Sequence, residues 1–297
     1  MNSSQNTTSS GSAVSGLTRS PTSPRTLFGI VMTGLCYLCA AIALLPLLAV
    51  LSYVIVQGFS RFSPSLFVEL PPPPMVEGGG FGNAIVGTLI MVGIATLLSV
   101  PFGIMAAVYL NEFASDTQLA YWIRFATNVL SGVPSIIVGV FAYGVVVLLT
   151  KTFSAWAGGF ALSILMLPII VRATEESLKL VPLEIRQAAL GIGATNFQMV
   201  AFVVLPAAMP AIVTGTTLAI ARAAGETAPL LFTALFAQFW PASLSAPTPS
   251  LAVLVYNFAT SPFKNQQELA WAASLVLVFL VLITSAVARW ATARKVY

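Results

Sequence analysis

The chain has 297 residues and a net charge of +4, yet only 7% of its residues are charged and 58% are hydrophobic. A soluble domain carries about 25% charged residues, so water cannot cover most of this surface and a soluble globular protein is excluded. Histidine is absent, which removes the commonest proton shuttle and metal ligand.

Residues 1–25, rich in Ser, Thr, Asn and Gly, read as a disordered cytoplasmic tail. The sequons at Asn2 and Asn6 fall within it. Arg19 and Arg25 precede an apolar run over residues 27–56. It is too long for a signal-peptide core and lacks a clear cleavage site, so it reads as a retained first span. Cys36 and Cys39 stand three apart on one face of that run. They read as small apolar packing residues, because a metal site needs further ligands and none is near.

Residues 57–83 are polar and hold four consecutive prolines, Pro71 to Pro74, then Gly78, Gly79 and Gly80. The prolines predict a stiff extended rod and the glycines a flexible joint. A second span is expected over 84–110. Glu112 and Asp116 mark a short loop or surface helix before a third span over 123–149. Lys151 marks a turn, and a fourth span covers 155–172, ending in Arg172. The longest charged stretch, 173–202, is read as a loop, and a fifth span follows over 203–235. A proline-rich loop, with a short helix near 251–258, leads to a sixth span over 269–288. Residues 26–297 thus form one transmembrane domain of class all-α, polytopic, with six spans. Prolines within or beside the spans suit bent, moving helices.

Orientation follows the Lys/Arg bias. With both termini cytoplasmic, the inner segments hold Arg19, Arg25, Arg124, Arg172, Lys179, Arg186, Arg289, Arg294 and Lys295. The outer segments hold Arg61, Lys151 and Lys264.

Two places carry chemistry. Inside the fifth span, Arg222 and Glu226 lie four residues apart. An arginine at a bilayer centre costs about 2.5–3.5 kcal/mol on insertion scales, so it faces protein or a watery cavity and marks a candidate ion or substrate site. On a regular helix Gly215, Ala219, Arg222 and Glu226 share a narrow arc. A purely structural ion pair is the competing reading of the two charges. Arg172 is either a second anion contact or a positive-inside anchor.

The second place is residues 181–200, which read as helix, turn, helix. Pro182 suits a first helical turn. Leu183, Ile185, Ala188, Ala189 and Leu190 build a helix that Gly191 or Gly193 ends in the left-handed conformation. Thr195 and Gln198 fit a capping box for a second helix. The pair makes a knob with Phe197 at its apolar tip, or an amphipathic hairpin on the lipid surface.

Here the chain resembles a known family. Gln187-Ala-Ala-x-x-x-Gly193 followed by Leu205-Pro206 is similar to the "EAA" loop of ABC-importer permeases. Glu77-Gly-Gly-Gly80 before Asn83-Ala84, Val171-Arg-Ala-Thr-Glu175, and Ala219-Ile-Ala-Arg-Ala-Ala-Gly-Glu-Thr-Ala-Pro-Leu-Leu-Phe-Thr-Ala234 narrow it to the permeases of the high-affinity phosphate importer. The likeness covers residues 27–290. It implies the type I ABC-importer permease fold with a cytoplasmic coupling helix. Gln187, Ala188, Ala189, Gly193 and Phe197 then belong to the loop that docks on an ATPase; Gln187 stands where the family often has glutamate. Arg172 and Arg222 lie on the phosphate route, with Glu226 as charge partner. The implied partners are a homologous permease (PstC), an ATPase dimer (PstB), a phosphate-binding protein (PstS), inorganic phosphate and membrane lipid. The outer loops 57–83 and 238–267 are candidates for docking that binding protein.

Function classes close accordingly. No phosphate-binding loop of the Gly-x-x-x-x-Gly-Lys-Ser/Thr type exists, so ATP hydrolysis belongs to a partner and the chain is expected to hold no cofactor. No nucleophile–base set suggests an enzyme, and nothing suggests nucleic-acid binding. The rival readings are a secondary anion transporter driven by an ion gradient, and a membrane scaffold or sensor in phosphate signalling.

Overall fold

Long apolar runs, broken by proline and glycine, leave the backbone only its own carbonyls to bond, and the chain answers with helices. The computed structural model describes residues 24–115 and 117–293. The described residues hold twelve α-helices and no strand. They are α1 (Pro24–Phe59), α2 (Gly82–Val108), α3 (Gln118–Gly132), α4 (Ser135–Ala142), α5 (Leu148–Thr150), α6 (Ala155–Lys179), α7 (Leu183–Gly191), α8 (Asn196–Met199), α9 (Leu205–Ala224), α10 (Ala228–Thr233), α11 (Leu251–Ala259) and α12 (Lys264–Ala293). The expected tail falls almost wholly outside the described residues, as do Arg294 and Lys295.

Among the described residues, five helical stretches are long and apolar enough to cross a membrane: Thr26–Phe59, Gly82–Phe113, Ala155–Lys179, Asn196–Ala224 and Lys264–Trp290. The expected third span is not one helix. It is the pair Gln118–Gly132 and Ser135–Thr150, bent by 105°. Pro134 explains the break. A residue before proline is pushed out of the helical region, and Val133 sits extended at φ −71, ψ 129.

Other boundaries differ from the sequence reading as well, the sixth span beginning at Lys264 rather than 269. The fourth span does not end at Arg172: α6 continues to Lys179, because hydropathy falls there but no helix breaker intervenes. The fifth span does not run unbroken over 203–235; it begins at Asn196 and is interrupted between Ala224 and Ala228.

The chain divides into two units at Tyr53 and Val54, within α1. The described side chains from Leu27 to Tyr53 are all exposed, Cys36 and Cys39 among them. In the second unit α6 is the central helix, with 61% of its apolar stretch buried, against 28% for each of the spans formed by α2, α9 and α12. Small residues let its neighbours approach: Gly103 of α2 meets Ile170, and Gly159 meets Ile94. Met91, Ala95, Leu162, Met166, Ala219, Ala223 and Leu230 fill the space between α2, α6, α9 and α10.

The proline-rich loop is no rod. Pro71 and Pro72 are buried, and Gly78 and Gly79 take positive φ. The loop thereby closes on itself: Gly80 N–H donates to the Leu70 carbonyl at 3.0 Å and Phe81 N–H to that of Leu66 at 2.9 Å. Leu66 and Phe81 then join Leu251, Leu254, Phe258 and Leu269 in a second core.

Candidate functional site

The break in the fifth span lies beside the middle of α6, as three contacts establish. Gly215 of α9 lies so close to Ala173 that no side chain fits between them. A Cβ on Gly158 meets Leu230 and Ala234, the latter just beyond the end of α10. Ser154 N–H donates to the Thr233 carbonyl at 3.1 Å. So α9 and α10 together retrace α6 in the antiparallel sense. Arg222, about midway between Gly215 and Leu230, sits near the level of Met166, and α6 runs from 155 to 179.

Arg222 occupies the last turn of α9, where a cation favours the helix C-terminus. Gly225 ends the helix at φ −92, ψ −5, and Pro229 opens the first turn of α10. The predicted arc of Gly215, Ala219, Arg222 and Glu226 therefore holds only as far as Arg222. Glu226 lies in the connection, outside the helix. The Arg222 Nε still donates to Glu226 Oε1, at 3.4 Å, which is long for a charge-assisted bond. The Arg222 side chain is 64% exposed and that of Glu226 16%.

Arg222 continues an exposed stripe of Ala207, Ala211, Thr214 and Leu218 on α9. Arg172 is also exposed. It precedes Ala173 and so lies about 9 Å of helix rise from the level of Arg222 toward the α7 end. The structure thus sets two guanidinium groups on neighbouring helices, outside the chain's own core. Neither lines the cavity of about 360 Å³ between α2, α9 and α12, whose wall includes Thr88, Thr96, Ile220 and Thr284.

The helix–turn–helix forms from local chemistry. Pro182, at φ −57 and ψ 145, sits one residue before α7 rather than inside its first turn. Gly193, not Gly191, takes the left-handed position at φ 93. Its N–H donates to the Leu190 carbonyl at 3.0 Å. The capping box is complete: Gln198 N–H donates to Thr195 Oγ1 at 3.2 Å, and Thr195 N–H to Gln198 Oε1 at 2.9 Å. The second arm is not a separate short helix. It continues from α8 through a π-turn at Val200–Val204 into α9.

Gln187, Ala188, Gly193 and Phe197 are exposed, Phe197 by 68%. Ala189 is buried and packs the hairpin onto Leu178, Val181, Met199 and Val200. It anchors the surface that the other four present. Sequence reasoning missed Ile192, which is 88% exposed at the turn. An isoleucine between two glycines was the available signal.

It also missed two ion pairs beside the hairpin. Arg124 of α3 donates Nε to Glu175 Oε1 of α6 at 2.8 Å, Nη1 to the Ser115 carbonyl at 3.0 Å and Nη2 to the Leu110 carbonyl at 2.8 Å. Arg186 of α7 pairs through Nη1 with Glu112 and donates Nη2 to the Leu178 carbonyl at 2.8 Å. Glu112 sits in a π-turn, Tyr109–Phe113, that ends α2, and it accepts from Asn111 Nδ2 at 2.7 Å. Its side chain is 3% exposed and that of Arg186 15%.

The family described as binding-protein-dependent transport system inner membrane component matches residues 99–296. The phosphate transport system permease protein PstA of Yersinia pestis is 44% identical over 249 residues, covering 84% of each chain. That of Pasteurella multocida is 39% identical, covering 89% of this chain and 94% of its own. Among solved structures, a chain of the inward-facing MetNI methionine ABC transporter aligns with a TM-score of 0.58 at 19% identity, over 72% of this chain and 95% of that one. A chain of a bacterial ABC transporter involved in the import of the acidic polysaccharide alginate aligns with a TM-score of 0.53 at 18% identity, over 92% of this chain and 100% of that one. These structures share the fold, the all-α permease fold of type I ABC importers. The chain belongs to the family of binding-protein-dependent transport system inner membrane components.

Proposed function

We propose that this chain is the permease subunit of an ATP-driven phosphate importer and forms half of its anion pathway. One observation carries the reading beyond the names of the relatives. Arg222 holds a permanent charge at mid-depth of the helix bundle, on an exposed face, beside a broken helix. Irregular backbone at membrane depth is tolerated where it is buried in protein or lines a water-filled cavity. A guanidinium offers paired donors to an oxyanion and stays charged at any relevant pH.

The exposed stripe on α9 faces a homologous permease, and the conduit runs between the two. The hairpin side is cytoplasmic, as the clustering of Arg124, Arg172, Lys179 and Arg186 there supports. A partner ATPase, which supplies both ATP site and metal, grips Gln187, Ala188, Gly193, Ile192 and Phe197. Closure of the ATPases moves the hairpins, and the spans tilt to open the arginine-lined path to the opposite side. A phosphate-binding protein docks there on loops 57–83 and 238–267. Arg222 and then Arg172 meet the anion in turn, with Glu226 holding the Arg222 side chain between passages.

Arg222→Gln tests this. With its partner subunits in proteoliposomes, the variant inserts and assembles but takes up no phosphate when ATP is supplied. Wild-type uptake by the variant removes Arg222 from the path. Uptake that ignores vanadate and follows an ion gradient makes the chain a secondary transporter instead.

A further inference from the structure

We propose that the Glu112–Arg186 ion pair is the strut that carries movement of the ATPase-docking hairpin into the end of α2. Both are then positioning residues for coupling. The inference rests on the permease reading above. Among the described residues, apart from the apolar patch under Ala189, the side-chain ties of α7 to the spans run through the Arg186 guanidinium. Its two arms reach different elements, Glu112 beyond α2 and the Leu178 carbonyl at the end of α6.

The acceptor is built to stay in place. Glu112 is nearly fully buried and is held by Asn111. The π-turn at Tyr109–Phe113 inserts one residue into the helix, and one residue swings a side chain by about 100°. An uninterrupted α-helix would therefore point Glu112 elsewhere. Arg124 clamps the same turn from its other flank, through the Leu110 and Ser115 carbonyls, and ties it to Glu175. Glu175 stands three residues along α6 from Arg172. Hairpin, turn and the Arg172 segment of α6 are thus linked by two ion pairs and the hydrogen bonds of Arg124 to the turn's carbonyls. An exposed ion pair yields easily to movement, whereas losing one partner of a buried pair is costly.

The test compares Glu112→Gln, Arg186→Gln and the double variant, each assembled with the ATPase and partner permease in proteoliposomes. The readout is phosphate taken up per ATP hydrolysed. Each single change lowers that ratio about tenfold while the ATPase still co-purifies, and the double is no worse than the worse single. An unchanged ratio in Glu112→Gln, or losses that multiply in the double, overturns the strut. Arg186→Lys keeps the charge but cannot fork to both acceptors, and gives an intermediate ratio even if the neutral variants assemble poorly. Amide hydrogen exchange on the purified chain in nanodiscs adds a readout independent of phosphate. Glu112→Gln speeds exchange over residues 183–199 by about tenfold and leaves the middle of α6 unchanged. Unaltered exchange in the hairpin overturns the strut. A wild-type complex that hydrolyses ATP without taking up phosphate instead ends the importer reading, and the exchange result still decides the strut.

Discussion

Arg222 and Glu226 are joined by a bond that is easy to open. A pair at 3.4 Å with the arginine 64% exposed is worth about 0.2–1 kcal/mol where water reaches it. An oxyanion that offers the guanidinium two acceptors competes well with that. Glu226→Gln should therefore lower phosphate uptake by no more than about fivefold, the factor that 1 kcal/mol represents. Arg222→Gln, by contrast, removes the charge and should abolish uptake. Equal loss in both variants, measured as initial rates in the same proteoliposomes, means that the pair acts as a structural unit. The sequence made these two charges legible by their spacing alone. The helix end between them was not legible in the same way. Gly225 followed by Pro229 is a stop signal, but the apolar run passes through it and hides it.

The hairpin of α7 and α8 was readable because each device in it is local. Pro182, Gly193, Thr195 and Gln198 act within four residues of themselves, and their roles follow from residue type and spacing. Glu112 and Arg186 are 74 residues apart, and Arg124 and Glu175 are 51 apart. No periodicity links them, so the sequence offered only positive-inside anchors and a loop carboxylate. The apolar tip was half legible: Phe197 is exposed as expected, but Ile192 is more exposed still. A docking surface gains most from its large apolar side chains. Ile192→Ala and Phe197→Ala should each weaken capture of the ATPase by about tenfold, a loss near 1.4 kcal/mol. Unchanged capture by both variants assigns the hairpin to the lipid surface instead. Thr195→Ala separates folding from docking. It should cost about 1 kcal/mol of stability through the lost cap while leaving the exposed tip in place.

At the scale of the whole molecule, the bent pair α3–α4 decides the number of crossings. α6 has 25 residues, about 37 Å of helix. Arg124 of α3 bonds Glu175 near one end of α6, while Lys151 follows α5 directly and Ala155 begins α6 at the other. The segment from α3 to α5 therefore connects the two ends of α6 and counts as one crossing, despite its 105° bend. With α1 spanning by length, the described residues supply up to six crossings, the total that apolar runs suggested although one run was not a single helix. Lys151 and the hairpin then lie on opposite faces of the membrane. Single cysteines test this in a chain carrying Cys36→Ser and Cys39→Ser, expressed without its ATPase so that the hairpin stays accessible. A membrane-impermeant thiol reagent should label Lys151→Cys in intact cells and Gln187→Cys only after permeabilisation. Both side chains are exposed, so burial does not confound the result. The reverse pattern inverts the orientation drawn from the Lys/Arg bias. Labelling of both from the same side means that the bent pair re-enters without crossing, and Arg222 would then lie in a different kind of fold from the one argued.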